Sequence, residues 1–193
     1  MRVMRAAFGV TTLLLAGLAG PATATAEDTP LADPGTLTCL TGNIDYTYSP
    51  PITRDPHAVT VHWSGGYQNC TSPDANHKDI ETGSFQGSTV VPNASCIGSN
   101  VVAQGLEEDD TWNYVNPPRT STSKLVGKIS ALPRADGNRV FTWAGDVTQG
   151  TFQSSTFSGT GEYNIEATNP NTCLTGISEA HGKMANFSIL PAS

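Results

Sequence analysis

Four histidines, a run of four acids and a set of aromatic side chains are the residues in this sequence whose chemistry could amount to a function. His57, His62, His77 and His181 could act as bases or metal ligands, but none forms an H-x-H or H-x-x-x-H pair. His57 and His62 are separated by a turn and part of a strand, so local spacing converges none of the four, and they read as surface or loop residues. Glu107-Glu108-Asp109-Asp110 reads as a solvated turn between two strands, because it lacks the alternating ligands and the glycine of a calcium loop; if it held calcium, Asp109 and Asp110 would be the ligands. Ser64 stands before Gly65-Gly66, but there is no G-x-S-x-G elbow, and a strand ending in a glycine turn explains it. The expectation is no catalytic residue, no cofactor and no metal.

The aromatic residues admit a different chemistry. Trp63, Trp112 and Trp143, with Tyr46, Tyr48, Tyr67 and Tyr114, offer flat apolar faces that suit sugar rings, although most aromatic residues of a sheet pack its core. Trp63 and Trp143 share strand faces with aliphatic residues and are expected inside. Trp112 and Tyr114 lie in an Asn-containing segment and are the exposed, ligand-binding candidates. Asn69, Asn93 and Asn186 begin glycosylation sequons of the kind that arise by chance in an Asn/Ser/Thr-rich chain.

The elements that must position these residues follow from the pattern of the chain. Arg2 and Arg5, an apolar run from Ala6 to Gly20 and the small residues Ala24-Thr25-Ala26 form the three-part layout of a secretory signal peptide over residues 1–26. Residues 27–37 then read as a flexible leader and 38–193 as a single β domain. Removing the signal peptide, with its two arginines and no acid, takes the formal charge from −7 to −9, which disfavours nucleic acid as a partner. The apolar run of the leader is shorter than a membrane span, and no second candidate follows, so a freely secreted, extracellular protein without a membrane anchor is expected.

Period-two alternation recurs through the mature part. Leu40, Gly42, Ile44, Tyr46 and Tyr48 fall on one face of a first strand, and Val59, Val61 and Trp63 on one face of a second. The prolines from Pro50 to Pro56 break the ladder between them and imply a hairpin with a long loop. Further strands are expected at 79–87, 96–106, 111–116, 121–132, 139–149, 157–167 and 182–190, with Asp136-Gly137 the best turn signal. About eight to nine strands, many with one polar face, and no window of helical periodicity give an all-β domain, a single antiparallel sandwich or barrel.

Cys39, Cys70, Cys96 and Cys173 all lie beyond the signal peptide, in a compartment where thiols pair. Four cysteines allow three pairings. A hairpin turning near Thr53 or Arg54 sets Cys39 almost opposite Cys70, which leaves Cys96 to Cys173.

The signal peptide, Cys39 followed by Ile44-Asp45-Tyr46-Thr47-Tyr48-Ser49-Pro50, Ala58-Val59-Thr60-Val61 leading to Cys70, the segment Asp146-Val147-Thr148-Gln149-Gly150-Thr151-Phe152 and a late cysteine before a final strand together resemble a group of small secreted actinobacterial β-rich proteins. These are strand and turn motifs; the resemblance implies a β fold and carries over no catalytic residue. The leading expectation is a non-catalytic extracellular binding or surface-associated module recognising glycan or protein. The alternatives are a hydrolase whose acids meet His62 or His181 only in the fold, and an inhibitor of secreted proteases presenting the loop from Pro50 to Pro56 beside a disulfide.

Overall fold

A computed structural model describes residues 34–97, 101–134, 138–164 and 170–193; the signal-peptide segment, most of the leader and the Asp136-Gly137 turn lie outside the described residues. Eight antiparallel strands close into one barrel in simple sequence order: β1 (Leu37–Ile52), β2 (His57–Thr71), β3 (Ile80–Ala94), β4 (Val101–Val115), β5 (Pro118–Pro133), β6 (Asn138–Gly150), β7 (Ser155–Asn164) and β8 (Ile177–Pro191), which pairs back with β1. A six-residue helix, α1 (Pro170–Thr175), precedes β8. The alternation that left sandwich and barrel unresolved is settled by the β1–β8 ladder: closure removes both sheet edges and leaves one interior for every inward side chain.

The strands are fewer and longer than the sequence pattern indicates, because bulges carry them through positions where alternation falters. The segments expected at 96–106 and 111–116 include a single strand, β4, continuous through the four acids. Its pairing with β5 shifts between Gln104 and Leu106, where Gly105 takes a φ of +72° that other residues adopt only at a cost. Ala103 faces in before that bulge and Leu106, Glu108, Asp110, Trp112 and Tyr114 face in after it. The acid run is therefore strand, not a solvated turn. Pro50 and Pro51 likewise lie within β1, in a stretch where its pairing with β8 is irregular and an amide donor is not required. The turn itself spans residues 53–56. Leu40, expected on the face of Ile44, is exposed, because inward positions change phase between Cys39 and Ile44.

Aromatic rings fill the barrel by lying over glycines on neighbouring strands. Trp63 is registered opposite Gly87, Trp143 opposite Gly159, Phe141 opposite Gly161, Trp112 opposite Gly83 and Phe85 opposite Gly65. A Cβ at Gly87 or Gly159 would stand 2.4 Å from the facing indole, so these positions are glycine because a ring occupies the space a side chain would need. Tyr67, Trp112, Trp143, Phe157 and Phe187 continue as a connected series of ring contacts, with centroids 4.4–6.2 Å apart.

The two disulfides are Cys39–Cys70 and Cys96–Cys173, the pairing expected from the first hairpin. Cys39 and Cys70 are direct cross-strand partners of β1 and β2. Cys96 and Cys173 join the segment after β3 to α1 at the opposite end of the barrel.

Candidate functional site

The wall of the barrel separates the candidate residues into an outer and an inner set. Trp112 and Tyr114 belong to the inner one: Trp112 has no exposed surface and Tyr114 retains 5 %. This corrects the expectation of an exposed aromatic platform. The alternation that would have placed them runs backwards from Tyr114 through Trp112, Asp110 and Glu108, and it is hidden in the sequence by the unusual thought of two acids facing a core. Trp112 donates its indole N–H to Ser123 Oγ at 2.8 Å, and the Tyr114 hydroxyl meets His77 Nδ1 at 3.2 Å, so both are built into one closed end of the barrel.

Asp109 and Asp110 point to opposite sides of the wall, Asp109 outward and Asp110 inward. They cannot share one cation, so they are not the joint ligands that a calcium site in this run would have used. Glu108 and Asp110, both nearly fully buried, instead form an acid pair inside the barrel. Glu108 accepts the Trp63 indole N–H at 2.6 Å and the Tyr67 hydroxyl at 3.2 Å. Burial raises the Glu108 carboxyl to about 7, against the lowering effect of those two donors. Asp110 is held well above the ordinary carboxylate range, first by burial and then by the charge of Glu108. Among the described residues no donor outside the pair reaches either Asp110 oxygen. A proton kept on Asp110 and donated to Glu108 satisfies both groups and leaves at most one charge between them.

Above this pair, toward the end that carries Cys96–Cys173, the interior is not filled. A cavity of about 50 Å³, counted as room for the centres of water-sized molecules, lies among Tyr46, Tyr48, Ile52, Val61, Trp63, Val91, Ala94, Ile129, Ala131 and Tyr163. The polar groups on its wall are the phenols, Thr89, Ser95 and Arg139. Arg139 is buried and donates to the Ser95 carbonyl at 3.2 Å. The Tyr46 hydroxyl is buried with no hydrogen-bond partner among the described residues. Trp63 belongs to both regions: its ring lines the cavity while its N–H is held by Glu108. Tyr46 appears in the sequence only as one of several aromatic residues and Glu108 only as part of the acid run, because nothing local distinguishes an inward tyrosine with a bound hydroxyl from one without.

The outer wall was the place to look for a hydrolase. His181 Nδ1 lies 2.6 Å from Asp45 Oδ1, so one of the two histidines of interest does meet a carboxylate. The pair sits exposed on neighbouring strands β8 and β1, and Asp45 is registered opposite Ser64 on its other side. The acid therefore stands between the hydroxyl and the imidazole, the reverse of what a base-activated nucleophile needs. His62 is also outside, near Asp45, Glu107 and Asp109 but with no hydrogen bond to them among the described residues.

The turn at residues 53–56 has the rigidity expected of an inhibitory loop but not its freedom. Arg54 is exposed, yet its amide donates to the Cys173 carbonyl at 3.1 Å and its carbonyl accepts the Ser95 hydroxyl at 2.9 Å. A protease would need both backbone groups for its own contacts. Among the described residues no helix is long and apolar enough to cross a membrane. Comparison of the chain with family models, curated proteins and solved structures finds no match, so its chemistry rests on its own residues.

Proposed function

We propose that this protein is a non-catalytic extracellular binding module that takes a small apolar molecule into the barrel, at the end closed by Cys96–Cys173, in place of presenting an aromatic face to glycan. The observation that carries the reading is the cavity lined by Tyr46, whose buried hydroxyl has no partner among the described residues. Protein interiors are packed to crystal density and leave few voids larger than a water molecule. Here such a void is lined from six of the eight strands, walled mostly by apolar and aromatic side chains with a few fixed polar groups, the composition of a small-molecule site. A sugar would surrender its hydration to a wall with few partners for its hydroxyls, which disfavours glycan. The outward residues Asp45, Thr47, Ser64, Gln86, Ser88, Glu107 and Asp109 form a polar wall, the opposite of a lipid-facing band. The leader, the acidic charge and the two disulfides support an exported protein.

NMR titration of the isotope-labelled, oxidised protein with toluene tests the reading. Toluene is expected to shift amides of Tyr48, Val91 and Ala131, and to lose that effect in Ala131→Phe, whose ring fills the cavity. Shifts confined to outer-wall residues, or none at all, would remove the interior site. A polysaccharide array probed in parallel is expected to stay blank; selective glycan binding would move the site to the outer wall.

A further inference from the structure

The Tyr46 hydroxyl says more about the occupant than the shape of the cavity does. Its ring is held on three sides: stacked with Tyr48 at 6.4 Å and 4° between planes, tilted against Tyr163 at 5.0 Å, and edge-on to Phe141 at 6.1 Å. A ring so packed cannot swing its hydroxyl out to solvent. Burial and the neighbouring phenols keep Tyr46 protonated, so the group presents a donor. A buried donor with no acceptor is costly, and a bound acceptor removes that cost.

The other polar groups on the wall are donors as well, and most are already directed elsewhere. Thr89 reaches the Gln104 carbonyl at 3.5 Å, Ser95 the Arg54 carbonyl at 2.9 Å, and Arg139 the Ser95 carbonyl. No carboxylate lines the cavity, so nothing there would compensate a bound cation beside Arg139. A bound anion would lie close enough to the Glu108 carboxyl to feel it, as the Tyr46 hydroxyl does. The charge balance thus favours a neutral ligand.

Resting on the interior-site reading above, we infer that the cavity takes a compact, uncharged, mainly apolar molecule carrying one acceptor oxygen, of the ketone or lactone class, whose oxygen accepts the Tyr46 hydroxyl. The volume open to water centres would hold roughly three to five waters, so the occupant is no larger than a single small ring.

The test compares cyclohexanone with methylcyclohexane, which has the same number of heavy atoms and no acceptor, by NMR titration of the full oxidised chain and of Tyr46→Phe. Cyclohexanone is expected to bind the native protein about threefold to tenfold more tightly than it binds Tyr46→Phe, the range of one net hydrogen bond. Methylcyclohexane should bind both alike, which also shows that the variant is folded with its cavity intact. Equal affinity of cyclohexanone for the two proteins overturns the assignment of the acceptor while leaving an interior site in place. Tighter binding of cyclohexanecarboxylate than of cyclohexanone overturns the neutral class. If neither cyclohexanone nor methylcyclohexane shifts cavity amides, or if Ala131→Phe binds them undiminished, the interior site falls and this inference with it.

Discussion

The two ends of the barrel are built from similar residues and finished differently. At the end where β1 begins, Trp112 is bonded to Ser123, Ser123 to the Thr151 carbonyl at 2.5 Å, His77 to Tyr114, and the Gly35 amide to Ser155 Oγ at 3.2 Å. Phe152 closes over His77 and Trp112 with ring contacts at 4.4 and 5.9 Å. At the other end, Tyr46 keeps an unpartnered hydroxyl beside empty volume. Aromatic density alone therefore does not mark a site in this fold. At the closed end most buried polar groups bond one another, with Ser121 Oγ unpartnered among the described residues, whereas at the other end an unpartnered phenol lines empty volume.

Each end also has its own disulfide, and removing them separately is the strongest way to probe the difference. Cys96 and Cys173 are 77 residues apart and Cys39 and Cys70 are 31 apart. Replacing both members by serine is expected to cost about 4.5 kcal/mol for the longer loop and about 4 kcal/mol for the shorter one in the chain-entropy model. The location of the loosening is the more telling readout. Loss of Cys96–Cys173 should speed amide exchange near the cavity, at Val91, Ala94 and Arg139, and spare Trp112 and Ser123. Equal loss of protection at both ends would show the barrel to be one cooperative unit without separately held ends.

Core truncations sharpen the contrast. Trp112→Ala removes a fully buried ring from the plugged end together with the hydrogen bond its indole donates to Ser123, and is expected to cost about 3–5 kcal/mol. Val91→Ala at the cavity removes two methyl groups that already border empty space, at about 1–2 kcal/mol. Guanidinium unfolding of the two variants checks the ordering, and a Val91→Ala cost equal to that of Trp112→Ala would mean that the cavity end is packed as tightly as the plug.

Between the ends, the Glu108–Asp110 pair makes stability depend on pH. Both carboxyls are raised by burial, so the folded barrel binds more protons than the unfolded chain above the ordinary carboxylate range. Stability is therefore greatest at mildly acid pH and falls as pH rises from about 4.5 through the Glu108 value of about 7. Asp110→Asn keeps a donor toward Glu108 and removes the competing charge, and is expected to raise the unfolding midpoint at pH 8 while flattening the slope below it. Denaturant midpoints measured between pH 5 and 8 decide this. A native profile that climbs with pH would place the pair's protons elsewhere.

How far these features were legible in the sequence depends on the range of the interactions that make them. The all-β class, the first hairpin and both disulfides follow from local alternation and from counting residues across one turn, which is information a sequence carries directly. The inward direction of Trp63 and Trp143 was legible for the same reason. Barrel closure was not, since it depends on β1 meeting β8 across 120 or more intervening residues. Trp112 and Tyr114 were misplaced because the strand leading to them crosses the Gly105 bulge and carries acids on its inner face. The cavity had no local signature: Tyr46, Ala131 and Tyr163 come from three strands and become neighbours only when the barrel shuts.

The smallest expected effect belongs to the Asp45–His181 pair on the outer wall, and it separates wall from interior. The pair is well formed, yet both side chains are largely exposed, so solvent screens their attraction and the contribution to folding should be close to the noise of a denaturation experiment. The imidazole pKa is raised by its hydrogen bond to Asp45. A group whose folded pKa lies above its unfolded one contributes below the ordinary histidine value and loses that contribution as pH rises through the folded pKa, so any trace of it should appear on the acid side of neutrality. NMR titration of His181 is expected to move toward the ordinary histidine range in Asp45→Asn, with an unfolding midpoint at pH 8 unchanged from the native protein. A large loss of stability at that pH, where the imidazole is becoming neutral, would mean that the outer wall carries structural weight that its exposure and hydrogen bonds do not account for.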